Sequence, residues 1–366
     1  MWLIERIGRI DKTTLIIGTT LAIISTLFIY SSTHTCEQPY STYFIKQLFG
    51  FVAGLFIYLI FYLIDFRTLC RLGYFAYFAI IALLIFTLIK GSIGMGAQRW
   101  IDIKIFRFQP SELAKLLLPA FIVYYLQGEP TTKKFSVHTF VPIFVITALS
   151  IILILKQPDL GTALIILIAG TIMLWHAGLS KKFFLWSFLA CALCTPVLYK
   201  GLKSYQRKRI EVFLGAGDSQ HERYHVEQSK IAIGSGGFFG KGFLQGTQNR
   251  LAFLPERRTD FIFSVLCEEW GLFGATLLIL LYIVLIMHLL LEIDKIRTFF
   301  AQLLAIGLLM PIAISIVINI GMVIGLMPVV GIPLPLMSYG LTHTWITCAA
   351  LGWINGITSS KLTTSD

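Results

Sequence analysis

Long apolar runs separated by short polar stretches occupy almost the whole chain, and their length, more than any alternation, sets their meaning. Runs of spanning length fall at roughly 13–33, 43–64, 72–90, 111–127, 139–156, 160–178, 183–199, 271–291, 299–326 and 336–357, which predicts about ten transmembrane helices. Backbone groups in hydrocarbon must be satisfied within their own segment, and the two-residue alternation of a membrane barrel is absent. The expected fold is therefore an all-α polytopic membrane protein, residues 1–366 forming one membrane domain. One long hydrophilic insertion, residues 200–260, separates the seventh and eighth helices. The first run is too long for a signal-peptide core and no small-residue cleavage site follows it, so it reads as an uncleaved span.

Composition agrees: 56% hydrophobic and 13% charged residues, with a mean hydropathy of +0.79, exclude a soluble chain of this length. The six cysteines are scattered and suggest neither a disulfide framework nor a metal site. Cys191 and Cys194 form C-x-x-C inside an apolar run and read as small packing residues. The seven histidines are dispersed, and spacing specifies no third ligand for His221 and His225, so no structural metal site is expected.

Charge sets the orientation. With the N-terminus in the cytoplasm, twelve Lys and Arg fall on that side against six in the short opposite loops. Both termini are then cytoplasmic, and the long loop faces outward. Residues 200–260 carry eleven Lys and Arg against six Asp and Glu, although long loops cross the membrane largely regardless of charge. An anionic partner at the outer surface, or lipid headgroups, would use that surplus; nothing points to nucleic acid. The cluster around Arg207 reads as a short amphipathic helix on the membrane surface.

Three groups of residues could carry chemistry. Glu256-Arg-Arg-Thr-Asp260 abuts an apolar run and so lies at the membrane boundary. Asp260 there fits either a tuned general base or a carboxylate favoured by a helix N-terminus, and Arg257 lies beside it. Glycines at 234, 236, 237, 240, 242 and 246 fit either an anion-binding backbone, with Lys241 as the phosphate-directed cation, or a tightly packed re-entrant loop. Gly96-Ala-Gln-Arg-Trp100 leads into Phe108-Gln-Pro-Ser-Glu-Leu-Ala-Lys115, where Glu112 and Lys115, three apart, share a helix face. Asp159, in Gln157-Pro-Asp-Leu-Gly-Thr162, reads as a helix cap. Met327–Gly340 carries three prolines at membrane depth and implies broken helix lining a cavity.

These motifs occur in an order that resembles the SEDS family (shape, elongation, division and sporulation). They are Gln157-Pro-Asp-Leu-Gly-Thr, Ala232-Ile-Gly-Ser-Gly-Gly, Gly240-Lys-Gly, Gly246-Thr-Gln, Leu254-Pro-Glu-Arg, Thr259-Asp-Phe-Ile-Phe and Gly331-Ile-Pro-Leu-Pro-Leu. The wording is closer to the elongation (RodA-like) members than to the division (FtsW-like) ones. The resemblance implies a peptidoglycan glycosyltransferase of the bacterial cytoplasmic (inner) membrane. It would polymerise lipid II into glycan strands at the outer face during elongation and rod-shape maintenance, releasing undecaprenyl pyrophosphate. The implied partners are a class B penicillin-binding protein, lipid II with the nascent glycan strand, and membrane proteins of the elongation complex.

The resemblance carries the catalytic aspartate to Asp260, and substrate binding to Trp100, Glu112 and Lys115. Lys241 and Arg257 join these as cations for the phosphates, or a divalent cation such as magnesium or manganese fills that need. The chain departs from the family pattern at Arg258, usually His, and at Leu341-Thr-His-Thr344, where Gly-Ser is usual after Ser-Tyr-Gly. A lipid II flippase and a noncatalytic scaffold are the competing functions. A flippase predicts essential charges near mid-membrane, and a scaffold predicts a dispensable Asp260.

Overall fold

The computed structural model describes residues 6, 8–34, 40–94, 97–102, 107–129, 135, 137–201, 207, 211–212, 220–250 and 256–360. Each apolar run is occupied by a helix: α1 (Lys12–Thr33), α2 (Thr42–Leu63), α3 (Phe66–Lys90), α4 (Pro110–Gln127), α5 (Val137–Lys156), α6 (Leu160–His176) and α7 (Lys181–Gly201). In the long insertion lie α8 (Gln220–Ser235) and the single turn α9 (Thr247–Arg250). The last three are α10 (Ile262–Asp294), α11 (Phe299–Val323) and α12 (Leu341–Ser360). By length and composition six of them, α1, α2, α3, α5, α10 and α11, suffice to cross a membrane.

Helix starts follow local chemistry. Asp11 and Ser41 cap α1 and α2 through the Thr13 and Phe44 N–H groups, and Pro110 opens α4 where its missing N–H costs nothing. α4 is buried along nearly its whole length at the centre of the bundle, with α11 beside it. Outer helices leave Phe, Leu, Ile and Val exposed, as expected where hydrocarbon is the solvent. α2 and α12 approach through small residues: a Cβ on Gly352 would stand 2.2 Å from the Tyr58 carbonyl oxygen.

Three expectations need correction. First, a three-stranded antiparallel ribbon, β1 (Ser92–Gly94), β2 (Ala97–Asp102) and β3 (Arg107–Phe108), occupies the connection into α4. Alternating residues such as Arg99, Trp100 and Ile101 suit a strand, and water can satisfy its edges there. Second, α7 leaves most of its described side chains exposed, Cys194 among them, so Cys194 does not pack a core. A thiol facing hydrocarbon needs no burial against protein. Third, Gly234 lies within α8 instead of in a glycine-rich loop, while α10 begins at Ile262, where the insertion 200–260 ends, and runs on into the apolar stretch at 271–291. The cluster around Arg207 falls largely outside the described residues.

Between that start and the apolar stretch α10 has a break. Gly271 has φ 65° and ψ −161°, which frees carbonyls before it and N–H groups after it. The glycine-rich segment lies across the break and takes up those groups. Lys241 and Gly242 donate N–H to the Glu268 and Glu269 carbonyls (both 3.0 Å), while the Gly237 and Phe238 carbonyls accept from Leu272 and Phe273 (2.9 and 3.0 Å). Such close approach excludes side chains, since a Cβ on Gly240 would lie 2.1 Å from the Glu269 carbonyl oxygen. The described glycines therefore serve the packed-loop reading directly.

Connections at one end of the bundle meet one another. The α2 start, the β-ribbon, the α6 start, the segment before α10 and residues 324–340 all converge there. At the opposite end Arg6 and Tyr62 exchange hydrogen bonds, His288 reaches Asp11 at 2.6 Å, and Asn355 of α12 bonds Tyr58. The start of α1 and the second half of α12 thus share that end.

Candidate active site

Asp260 ends the turn that precedes α10. Its backbone is clamped: Asn319 of α11 donates through Nδ2 to the Asp260 carbonyl (2.9 Å) and to the Ile332 carbonyl (2.7 Å). One residue back, the Thr259 carbonyl accepts from Ser338 Oγ (2.5 Å), and the Arg258 carbonyl accepts from the Tyr339 N–H (2.9 Å). The Asp260 carboxylate faces the backbone of Gly331, where a Cβ would stand 3.5 Å from Oδ2. The broken segment 324–340 expected from its prolines thus exists, and it positions Asp260 from two sides.

The flanking arginines are engaged elsewhere. Arg257 donates from Nε to the Ser32 carbonyl (3.0 Å), and Arg258 lies 4.0 Å over the Tyr43 ring, which meets Tyr339 edge-on. Burial first, and then the like charge of Arg258, lowers the Arg257 pKa. The Arg258 departure therefore has a local use as a cation–π tie between the Asp260 turn and α2.

Glu112 and Lys115 form a buried ion pair, Nζ to Oε1 at 2.7 Å, with 5% and 7% of their side chains exposed for Lys115 and Glu112 respectively. His343 of α12 reaches the other Glu112 oxygen from Nδ1 at 3.1 Å. Beside them is a small cavity of about 20 Å³ lined by these three side chains together with Leu308, Ser315 and Pro335, among others. Pro335 belongs to the segment whose Ser338 holds Thr259. The pair and Asp260 therefore meet the same stretch of chain.

Asp159 caps α6, accepting from the Thr162 N–H (3.1 Å), as its position predicts. It also gathers the fourth-helix motif: Gln109 Nε2 and Ser111 Oγ donate to Oδ2 (2.7 and 3.1 Å), and Arg99 stands 3.6 Å from Oδ1. Trp100 is half-buried on β2 with the Arg99 guanidinium 5.7 Å from its ring centroid. A Cβ on Gly161 would strike Ile332 and the Val330 carbonyl, so this hub packs on the Asp260 side of segment 324–340 as well.

Lys241 is tied to a residue that sequence reasoning passed over. Its ammonium stands 2.7 Å from Glu268 Oε1, which also accepts from Thr247 Oγ1 and the Gln248 N–H, both at 3.0 Å. Neighbouring Glu269 accepts from the Leu244 N–H (3.2 Å) and from Ser31 Oγ. Both carboxylates have no exposed surface. Two acidic residues inside an apolar run are the signal that the sequence offers for this pair. His343, Asn319 and Ser338 carried no spacing signal, since they act on Glu112, Asp260 and Thr259, which lie 231, 59 and 79 positions away. Among the described residues no three His, Cys, Asp or Glu side chains group as a metal's ligands would, so the residues present do not frame a divalent-cation site by themselves.

Comparison with known proteins identifies the family. A family model described as "Cell cycle protein" and covering FtsW, RodA and SpoVE matches residues 11–362. The peptidoglycan glycosyltransferase MrdB of Escherichia coli (strain K12) is 41% identical over 78% of both chains. The peptidoglycan glycosyltransferase RodA of Treponema pallidum is 30% identical over 98% of this chain and all of its own. Among solved structures, a chain from a peptidoglycan synthase complex that coordinates polymerization and crosslinking superposes with a TM-score of 0.82. It is 27% identical, covering 98% of this chain and 99% of its own. The rod shape determining protein RodA of Thermus thermophilus gives 0.72 at 26% identity, covering 98% of both chains. With the family match spanning nearly every residue, the chain belongs to the FtsW/RodA/SpoVE family of multi-pass bacterial membrane proteins.

Proposed function

We propose that Asp260 is the general base of a peptidoglycan glycosyltransferase reaction run at the end of the bundle where the connections converge. The reaction class follows from kinship: the chain is a peptidoglycan glycosyltransferase of the RodA type, acting in cell-wall synthesis and cell shape. The substrate is lipid II. An acceptor sugar hydroxyl attacks the anomeric carbon of the lipid-linked donor; a C–O bond forms there with inversion as the bond to pyrophosphate breaks. The hydroxyl proton passes to the Asp260 carboxylate, and undecaprenyl pyrophosphate leaves.

Pyrophosphate is a good leaving group, so cations in place of a second carboxylic acid complete the site. Lys115 lines the cavity and is the principal candidate, with Arg257 at the Asp260 turn and Trp100 flanking. Glu112 holds Lys115 in place. Lys241 stands in its ion pair with Glu268, so its proposed part is to brace the broken helix. This end faces outward, both termini are cytoplasmic, and residues 1–366 act as one membrane domain. A class B penicillin-binding protein receives the glycan strand for cross-linking.

The observation that carries the reading is the clamp of Asn319, Ser338 and Tyr339 on residues 258–260, which fixes one carboxylate beside Gly331. Purified Asp260→Asn protein with its partner and lipid II tests it, with glycan chains scored on a gel. A folded variant that yields wild-type polymer removes Asp260 as the base.

A further inference from the structure

Glu112 and Lys115 sit on successive turns of one helix, and an i,i+3 pair alone leaves the plane of the carboxylate unfixed. The second oxygen is fixed from another helix by His343 of α12. An ionised carboxylate only accepts, so Nδ1 carries the hydrogen of that bond. His343 is 8% exposed, and its Nε2 is buried without a partner. The ring lines the cavity of about 20 Å³, enough for one water. Glu112, Lys115 and His343 are the titratable groups of that lining, which otherwise carries Ser315 and Thr347 as its polar side chains.

We propose that His343 is a positioning residue: by donating from Nδ1 to Glu112 it holds the carboxylate, and through the ion pair the Lys115 ammonium, in the orientation in which Lys115 meets a lipid-linked pyrophosphate. The proposal rests on the reading that this end of the bundle handles such a donor. It also gives a use to a histidine that is otherwise a polar ring buried among α4, α11 and α12. A charged pair in so dry a place is sound only if its remaining lone pairs and protons are met, and His343 meets the one that Lys115 leaves.

Three substitutions separate positioning from packing. The amide nitrogen of Asn superposes on Nδ1, whereas that of Gln superposes on Nε2. His343→Asn is therefore expected to polymerise lipid II within about threefold of wild type, and His343→Ala and His343→Gln to raise KM for lipid II about tenfold while kcat changes less. A folded His343→Ala with wild-type KM overturns the proposal, and so do Asn and Gln variants that behave alike. If His343→Ala melts, the contrast between the Asn and Gln variants decides. A second arm measures binding of undecaprenyl pyrophosphate to Asp260→Asn protein with and without His343→Ala; a loss of about tenfold is expected. That arm does not require Asp260 to be the base: unchanged binding sinks the role of His343, while polymer made by Asp260→Asn sinks the function reading alone.

Discussion

Replacing Lys241 with methionine removes the ammonium that faces Glu268 while keeping most of the side chain's length. The Glu268 side chain is 1% exposed and Lys241 27%, so the carboxylate is dry and the ammonium partly wet. Breaking a fully buried pair costs about 3–5 kcal/mol, because it strands a charge. Here water already screens part of the attraction, and Thr247 Oγ1 and the Gln248 N–H remain on Oε1, although Oε2 has no partner. The expected loss for Lys241→Met is therefore about 2–3 kcal/mol. Unfolding by detergent titration in mixed micelles reads it. Adding Glu268→Gln removes the stranded charge, so the double variant should regain about 1 kcal/mol or more over Lys241→Met. A Lys241→Met protein as stable as wild type refutes the brace. If its polymerisation is lost while stability holds, the ammonium serves the substrate instead.

Further tests address other parts of the scaffold. Gly240→Ala puts a Cβ where 2.1 Å separates it from the Glu269 oxygen, at φ +80°, and should destabilise by about 3 kcal/mol or prevent insertion, read by protein yield and melting. Asn319→Ala strips donors from the Asp260 and Ile332 carbonyls, a stability loss of about 2 kcal/mol with a fall in polymer output, measured on the same preparation. Arg258→Ala gives up the Tyr43 contact, about 0.5–2 kcal/mol by melting, and should be matched by Tyr43→Ala, with the two losses failing to add.

The spans were legible because a run of apolar residues has one meaning at that length, and each run did become a helix. Asp159 as a cap and the broken 324–340 segment were legible for a similar reason: capping chemistry and prolines act within a few residues. What escaped reading acts over distance. The glycines at 236–242 fit a phosphate cradle and a packed loop alike, because their spacing says only that backbone comes close, not to what; the partner is the broken α10, some 30 residues on. Glu268 and Glu269 stand out as acids in an apolar run, but nothing near them in the sequence points to Lys241 or Ser31 as their partners. His343 looked solitary because its partner lies 231 residues earlier.

The end of the bundle that holds Asp260 draws on residues from Ser32 to His343. During synthesis Asp260, the proposed base, leaves the ribosome before α11 and α12 exist, and until Asn319, Ser338 and His343 arrive it has no clamp and Glu112 no second donor. Activity is thus assembled last. A ribosome stalled between α10 and α12 leaves a chain that already carries every group proposed for the chemistry, yet lacks the residues that hold them in place, so a half-made enzyme cannot begin to build wall.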